Sequence, residues 1–262
     1  MRLPLTALLI PPENGEADAQ PDLPSIVALV GAGGKTTLLY GLARLLAAAG
    51  KTVITTTTTH IYPPSPVQSP RLMVDGAPSP DAVRRALKRH RHLTLARARR
   101  EDVGKLAGFA PKDIAGLAGV ADVVLVEADG AAMLPLKAPA AHEPAVPPCT
   151  ELCVAVLGLD GVDRPFQDAV HRAGNASALC GATPESPVLP AHLAHLALHS
   201  DGLFRTSPPC ARRVVLCHKA DLPGAPKTAE LAAHEAWLRY PGSTATWCMG
   251  SARKEWITRL RR

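Results

Sequence analysis

Aromatic side chains are scarce in this chain, whose 262 residues include three Phe, three Tyr and three Trp. Proteins that bind single-stranded nucleic acid stack the bases on aromatic rings, so this scarcity argues against nucleic acid as a partner. Long apolar runs are lacking as well. No uncharged stretch approaches the roughly 18 residues that a membrane-spanning helix needs. We therefore expect neither a nucleic-acid partner nor a membrane segment.

The six cysteines include no Cys-x-x-Cys pair, and no His–Cys spacing typical of a zinc site accompanies them. The opening MRLPLTALLI is a short apolar run that two prolines end without the cleavage site of an export leader. We expect a cytoplasmic protein with reduced thiols. Cys149 and Cys153, four residues apart, leave open a carrier that uses both thiols. Pro147 and Pro148 instead favour a strand at this point, on which the two cysteines would share a face only by coincidence.

Acidic residues are outnumbered, and the formal charge of the chain is +6 with a pI of about 9.1. The excess is local, because residues 84–100 (RRALKRHRHLTLARARR) carry eight Lys and Arg and no acid. One interpretation of this basic stretch is a solvated helix face followed by a strand rim. The other is a docking face for an anionic partner or substrate.

Strand and helix patterns alternate along the chain. SIVALV, the turn GAGG, the helical stretch KTTLLYGLARLLAAAG and the strand KTVITTTTTH form a βαβ unit. ADVVLVEADG, LCVAVLGL, RRVVLCHK and STATWC supply further strands. The pattern predicts an α/β fold: a P-loop NTPase-like, doubly wound, mostly parallel sheet with helices on both faces. We expect one domain over residues 1–262, with an N-terminal extension at 1–24 and a candidate insert at 64–120.

A phosphate-binding loop is predicted at the first strand-to-helix turn. The GxxxxGK[ST] template is met only in its second half, because Leu29 stands where its first glycine belongs. The small residues let main-chain N–H groups approach phosphates, Lys35 neutralises charge, and Thr36 reaches Mg²⁺. The predicted nucleotide-binding residues of this loop are Gly31, Ala32, Gly33, Gly34, Lys35, Thr36 and Thr37.

Two acids follow the apolar run VVLV. Because strand residues alternate between faces, Glu127 and Asp129 are expected to point together toward the phosphate loop, with Ala128 facing away. One acid would hold Mg²⁺ with Thr36, and the other would orient an attacking water. The threonines at residues 55–59 have two interpretations, namely contact with phosphate or metal-bound water, and plain β-propensity.

A base-recognition loop is predicted near the end of the chain. His218, Lys219 and Asp221 resemble the NKxD loop of GTPases with His in place of Asn, and Ser251 with Ala252 resembles the loop that completes a guanine pocket. An acid such as Asp221 accepts hydrogen bonds from guanine, whereas adenine offers an acceptor there. This pattern favours GTP and leaves ATP open, because the histidine weakens the preference.

Together these residues resemble the YqeC-like family, accessory proteins of selenium-dependent molybdenum hydroxylases. VALVGAGGKTTLL, VITTTTTHIYPP, VVLCHKADLP and above all ADVVLVEADGAAMLPLKAPAAHEPAVPP carry the resemblance. It implies a P-loop NTPase fold and a role in maturing a selenium- or molybdenum-dependent enzyme, with a molybdenum hydroxylase or its maturation proteins as partners.

The Pro-rich loop after the acids contributes two more candidate catalytic residues. Lys137 is expected to balance transition-state charge and His142 to move a proton; the alternative is a rigid loop with solvated side chains. We expect Mg²⁺-dependent hydrolysis of GTP or ATP. A nucleotide-gated binding module, and phosphoryl transfer or ligation to a small acid docked on the basic stretch, stay open. The sequence indicates no oligomeric state.

Overall fold

The structure is a computed structural model that describes residues 1–11 and 22–262. Its strands, in chain order, are β1 (Leu3–Pro4), β2 (Ile26–Gly31), β3 (Val53–Thr57), β4 (His60–Ile61), β5 (Leu72–Val74), β6 (His92–Ala96), β7 (Ala98–Arg100), β8 (Lys105–Ala107), β9 (Val123–Glu127), β10 (Leu136–Lys137), β11 (Leu152–Gly158), β12 (Val170–His171), β13 (Arg212–His218), β14 (Thr246–Ser251) and β15 (Trp256–Arg259). The α-helices are α1 (Lys35–Ala48), α2 (Pro80–His90), α3 (Phe166–Ala169), α4 (Ala173–Cys180), α5 (Pro190–Leu198) and α6 (Ala225–Arg239). Short 3₁₀ helices cover Leu5–Leu8, Pro111–Leu117 and Leu159–Gly161.

A large, mostly parallel sheet forms the centre of the fold. Among the described residues it has ten strands in the order β1-β15-β14-β13-β11-β2-β9-β3-β6-β5. The strands from β14 to β5 are parallel, and only the β14–β15 and β15–β1 pairs are antiparallel. This confirms the predicted α/β fold with a doubly wound, mostly parallel sheet.

Helices cover both faces of this sheet, which is why its central strands are almost entirely apolar. Every residue of β2, β9 and β11 is buried. On one face α1 packs through Leu38, Leu39, Leu42 and Leu46, together with the 3₁₀ helix Leu5–Leu8. On the other face α4, α5 and α6 pack beside β2, β11 and β13, and α2 packs toward β6.

The segment predicted as an insert is divided between two sheets. β5 and β6, which α2 connects, extend the central sheet at its edge. β7 and β8 instead pair with β4 in a separate antiparallel sheet, which we call the side sheet. The sequence pattern does not separate β4 from the preceding strand, because two residues are too few to show strand periodicity.

The basic stretch at residues 84–100 is likewise divided among α2, β6 and β7. Arg84, Arg85 and Arg89 are exposed on α2, and Arg100 on β7 pairs with Asp102. The expected extension at the N-terminus contains β1 and a 3₁₀ helix, whereas most of its polar connector lies outside the described residues. No helix within residues 1–11 and 22–262 has the length and apolarity needed to cross a membrane.

Candidate functional site

The phosphate loop joins β2 to α1 at the centre of the sheet, where β9 and β11 flank β2. Gly31, Gly33 and Gly34 have φ angles of 92°, 79° and 128°, which side-chain-bearing residues rarely adopt. A Cβ on Gly33 would also overlap the main chain of Gly158 and the carbonyl oxygen of Pro135. Both conformation and space therefore require glycine at this turn, as the sequence motif predicts.

The ammonium of Lys35 lies inside this loop. Its Nζ donates to the carbonyl oxygen of Gly31 at 2.6 Å, and it lies 3.0 Å from Asp129 and 3.9 Å from Glu127. Burial by itself lowers the pKa of Lys35, but the two negative charges outweigh that effect and raise it. Lys35 therefore stays charged and is held in place before any ligand arrives.

Thr36 and Glu127 are two of the three residues, with Asp129, that the sequence offers as Mg²⁺ ligands. The Thr36 hydroxyl donates to the Glu127 carboxylate at 2.8 Å. Burial raises the pKa of Glu127, opposed by the charge of Lys35 and the Thr36 hydrogen bond. A hydroxyl and a carboxylate are hard oxygen donors, and Mg²⁺ in nucleotide sites takes one or two carboxylates plus substrate phosphates. These two residues therefore fit the ion.

Asp129 points toward the phosphate loop as predicted, but it lies behind the loop and is fully buried. Its carboxylate accepts from the Gly31 N–H at 3.0 Å and lies 3.3 Å from the Lys137 ammonium, in addition to its ion pair with Lys35. Ala128 faces away into the apolar core. Asp129 thus holds two lysines and the loop main chain, and of the two described acids Glu127 is the one that borders open space over the loop.

Lys137 and His142 separate in the structure. Lys137 is fully buried and donates to the carbonyl oxygen of Gly130 at 2.6 Å and to Glu143 at 2.9 Å. Arg172 pairs with the same Glu143 at 2.7 Å. Burial tends to raise the pKa of Glu143, but the hydrogen bond and charge of Lys137, followed by Arg172, lower it. His142 is exposed. The described contacts bring neither Lys137 nor His142 to the phosphate loop.

A cavity of about 460 Å³ opens over the phosphate loop. The loop contributes residues 33–37, and the segment after β9 contributes residues 130–134. Six further side chains complete the wall: His60, Ile61, Tyr62, Lys105, Glu127 and Lys219. We call it the strand-end cavity, because it lies at the carboxyl ends of the parallel strands, where doubly wound folds bind ligands.

The predicted base-recognition loops lie at the ends of β13 and β14. His218 is buried; its Nδ1 lies 2.8 Å from the Gly33 carbonyl oxygen, and its Nε2 accepts from the Ala252 N–H at 3.0 Å. The carbonyl oxygen can only accept, so this arrangement requires the neutral tautomer with Nδ1 protonated. Burial lowers the pKa of His218 accordingly. His218 therefore joins the phosphate loop to the second base loop.

The other residues of these loops differ in their exposure. Lys219 lines the strand-end cavity and pairs with Asp160 at 2.6 Å. Asp221 is exposed, whereas Ser251 and Ala252 are buried, with the Ser251 hydroxyl accepting from the Lys254 N–H. Asp221 thus has the accessibility that contact with a base requires.

The threonines at residues 55–59 are used within the fold. Thr55, Thr56 and Thr57 are buried in β3 and make hydrogen bonds to neighbouring strands, such as that from Thr57 to the Glu127 carbonyl oxygen at 2.7 Å. Thr58 donates to the Ala145 carbonyl oxygen. Within the described part of the chain none of the five lines the strand-end cavity. This favours the β-propensity interpretation.

Four side chains of the cavity wall have no counterpart among the predicted site residues: the polar or aromatic His60, Tyr62 and Lys105, and the apolar Ile61. His60 belongs to β4, Lys105 to β8, and Tyr62 directly follows β4. His60 and Tyr62 stand in the string VITTTTTHIYPP of the family resemblance, but no motif gives these three residues a place in the site, because the pairing of β4 with β8 connects residues more than 40 positions apart. None of the eight Lys and Arg of the basic stretch, all of which the structure describes, lines this cavity.

The cysteines are free thiols in the described ranges. Cys153 is buried on β11, and burial raises the pKa of its thiol to about 12. A thiol held in the neutral form is a poor nucleophile. This observation removes the physical support for a carrier that uses Cys149 and Cys153 together.

Comparison with known proteins identifies related sequences. The family model described as "YqeC protein" matches residues 27–174, which is more than half of the chain. A protein of Escherichia coli (strain K12), named "Uncharacterized protein YqeC", is 35% identical over 199 residues, covering 73% of this chain and 74% of the relative. The matched range of the family model includes the phosphate loop, Glu127, Asp129 and Lys137, and it ends before the base-recognition loops.

Proposed function

The chain belongs to the YqeC family, and from this membership and the geometry of the strand-end cavity we propose that it binds a nucleoside triphosphate with Mg²⁺ and hydrolyses it. GTP is the favoured nucleotide and ATP the alternative. The family resemblance of the sequence motifs further suggests an accessory role, in the cytoplasm, in maturing a selenium- or molybdenum-dependent hydroxylase.

One observation carries the proposal: Lys35, Thr36 and Glu127 converge at the start of α1 on the floor of a 460 Å³ cavity. The amino end of a helix favours anions, since its first N–H groups have no partners within the helix. Lys35 adds a full positive charge. Polyphosphate is the ligand whose charge and size match this set.

Each residue has a defined part in the proposed chemistry. Lys35 and the main-chain N–H groups of residues 34–37 would bind the phosphates, while Thr36 and Glu127 would hold Mg²⁺. The bound ion supplies charge neutralisation at the terminal phosphates. Asp129 orients Lys35 from behind, so it would act without touching the substrate.

The base would lie toward β13. Lys219 forms part of the cavity wall there, and its aliphatic stem can cover one face of a purine. Asp221, which is exposed, can accept the two N–H groups that guanine presents on its base-pairing edge. His218 reaches both neighbouring loops, and so would hold the base pocket and the phosphate loop together.

A second candidate function is a nucleotide-gated binding module, which a chain of buried charges favours. Lys35, Asp129, Lys137 and Glu143 form successive ion pairs of 3.0, 3.3 and 2.9 Å that connect the phosphate loop to the Pro-rich loop. A phosphate that draws Lys35 away from Asp129 would alter this series. The Pro-rich loop would then present a nucleotide-dependent surface to a partner protein.

The test is calorimetric titration of the protein with GTP and with ATP in the presence of Mg²⁺, followed by phosphate release. Wild type should bind one nucleotide, and Lys35→Ala should weaken binding about tenfold or more, because a charge-assisted contact is lost. Lys51→Ala, at an exposed lysine beyond the other end of α1, is the matched control. Asp221→Ala should weaken GTP binding more than ATP binding.

Because Lys35→Ala leaves Asp129 without one partner and can harm folding, Thr36→Ala provides a second variant that removes only a hydroxyl. Nucleotide binding without phosphate release would favour the binding module. The proposed function would be wrong if wild type bound neither nucleotide, or if Lys35→Ala and Thr36→Ala both turned over nucleotide at the wild-type rate.

A further inference from the structure

The strand-end cavity has a second wall that the nucleotide assignment leaves unused. His60, Tyr62 and Lys105 form it, and they come from the side sheet and the residue that follows its first strand. We call these three residues the outer wall. They share no sequence motif with the phosphate loop, and the pairing of β4 with β8 places them at the same cavity.

Sheet order fixes which end of a bound nucleotide would face the outer wall. β13, which carries the base-recognition loop, lies on one side of β2, and β3, which leads into β4, lies on the other. A nucleotide with its base near β13 and its phosphates on the loop after β2 therefore extends its terminal phosphate toward Glu127 and the outer wall. The free space there adjoins the reacting end of the nucleotide.

The charge on the outer wall is available to a ligand. Lys35 pairs with Asp129, and Lys219 pairs with Asp160, but among the residues that the structure describes no carboxylate forms an ion pair with Lys105. The Lys105 ammonium lies 4.8 Å from the centre of the Tyr62 ring. A cation over an aromatic face keeps its charge and its hydrogen-bond donors available to an anion.

The outer wall also contains an exposed tyrosine. Tyr62 is 56% exposed, whereas Tyr40 is buried and Tyr240 is partly buried. An exposed aromatic ring at a cavity mouth supplies flat contact area of the kind common in ligand sites. His60 and Lys105 both line this wall, and the Arg100 guanidinium of the same side sheet lies 3.5 Å from the His60 Nε2. The outer wall thus combines an aromatic platform with a cationic rim, whose charge Lys105 supplies.

We propose that the outer wall binds a second substrate, a small molecule whose carboxylate or phosphate group is held by Lys105 and His60 beside the terminal phosphate of the nucleotide. This inference rests on the proposed nucleotide site. The second substrate would react with the terminal phosphate in place of water. An ionised oxygen of the second substrate forms a bond to the terminal phosphorus. The bond from that phosphorus to the bridging oxygen breaks and leaves nucleoside diphosphate, and the ionised oxygen brings no proton to be removed.

The experiment follows the imidazole signals of His60 by NMR, assigned with His60→Asn, while sodium acetate or sodium phosphate is added. Each titration is run on the nucleotide-free protein and on protein saturated with a non-hydrolysable nucleotide and Mg²⁺. In wild type we expect a saturable shift in both states. Lys105→Ala and the longer Lys105→Gln should each weaken anion binding at least tenfold, because one charge-assisted contact is lost.

Lys88→Ala is the matched control, since Lys88 is an exposed lysine of the basic stretch that does not line this cavity. It should bind both anions as wild type does. Stronger binding of acetate would identify a carboxylate as the preferred group, and stronger binding of phosphate would identify a phosphate. Equal binding by wild type and both Lys105 variants, or an equal loss in Lys88→Ala, would overturn the proposal.

Failure of this inference and failure of the nucleotide site give different results. Lys35→Ala reports on the phosphate loop, and Lys105→Ala reports on the outer wall. If wild type binds no nucleotide but Lys105 still determines the His60 shift, the anion subsite stands and the nucleotide proposal falls. If nucleotide binds normally and the His60 shift is the same in wild type and in the Lys105 variants, the outer wall is not an anion subsite.

Discussion

The two ends of the strand-end cavity differ in how their charges are held. At the inner end, Lys35, Glu127 and Asp129 are buried and lie within a few ångströms of one another. At the outer end, His60 and Tyr62 are exposed, and Lys105 is half-buried without a carboxylate partner among the described residues. One cavity thus joins a closed ionic network to an open cationic rim.

The contrast follows from desolvation. A buried charge loses its hydration, and only close partners offset that loss. The inner charges must therefore be paired in the folded protein, which fixes their positions before a ligand binds. A partly solvated charge such as that of Lys105 keeps much of its hydration and needs no partner. The inner end is therefore preorganised and rigid, and the outer end stays available to ligands of different shape.

The largest effect should come from breaking the inner network. Asp129→Asn removes the charge that compensates both Lys35 and Lys137, so we expect the free energy of unfolding to fall by about 3–5 kcal/mol. Lys105→Ala, at the outer end, should change it by less than about 0.5 kcal/mol. Urea unfolding followed by circular dichroism measures both. Equal losses in the two variants would contradict the distinction between the ends.

A smaller effect is expected from a glycine pair. Gly33 and Gly104 have φ angles of 79° and 63°, but a Cβ on Gly33 would overlap neighbouring main chain, whereas a Cβ on Gly104 would meet open space. Gly104→Ala should cost about 1–2 kcal/mol of stability, the usual penalty for a side chain in the left-handed conformation. Gly33→Ala should cost about 3 kcal/mol, because steric overlap adds to that penalty.

Thermal unfolding of both glycine variants, with nucleotide titration alongside, checks this difference. Gly33→Ala should also lose nucleotide affinity, while Gly104→Ala keeps it. If Gly33→Ala had the same unfolding temperature and the same nucleotide affinity as Gly104→Ala, the phosphate loop would tolerate movement. That result would contradict a rigid phosphate loop.

The smallest effect is a pH dependence at the inner end. Burial lowers the pKa of His218 in the folded protein, so on acidification below about 6.5 the unfolded chain takes up a proton that the folded protein does not. The stability contributed by neutral His218 is present above that pH and is lost as the pH falls toward the folded pKa. The loss approaches about 1.4 kcal/mol per pH unit.

His218→Asn isolates this effect, because an amide can still donate to the Gly33 carbonyl oxygen and accept from the Ala252 N–H. Between about pH 7.5 and about pH 5.5 the unfolding free energy of wild type should fall by about 1 kcal/mol more than that of His218→Asn. Parallel pH profiles would mean that His218 does not stay neutral on acidification.

Local patterns predicted the elements that build the inner end. The β2 strand, the glycine turn and α1 follow from apolar periodicity and from a short glycine motif, and alternation along β9 correctly placed both acids on the loop side. Family membership is equally a property of the sequence, because the matched range 27–174 contains these motifs. All of these features depend on residues close in sequence or on adjacent strands.

The burial of individual side chains could not be predicted from local patterns. Glu127 and Asp129 have the same character in the sequence, yet one borders the cavity and the other is enclosed behind the loop. Lys137 looked like a residue free to reach a phosphate, but it is buried between Asp129 and Glu143. The degree of burial depends on the loops that cover a strand end, and these loops come from distant parts of the chain.

Short-range stereochemistry and strand alternation are encoded residue by residue, so the amino-acid order was enough to define the βαβ unit around β2, its glycine loop and the charges near it. Which of those charges face a ligand and which neutralise one another depends on how the whole chain packs. The same packing brings His60, Tyr62 and Lys105 to one cavity, since two short strands, β4 and β8, pair across a long separation. Desolvation acts on the assembled fold, and the pattern of residues along the chain does not record it.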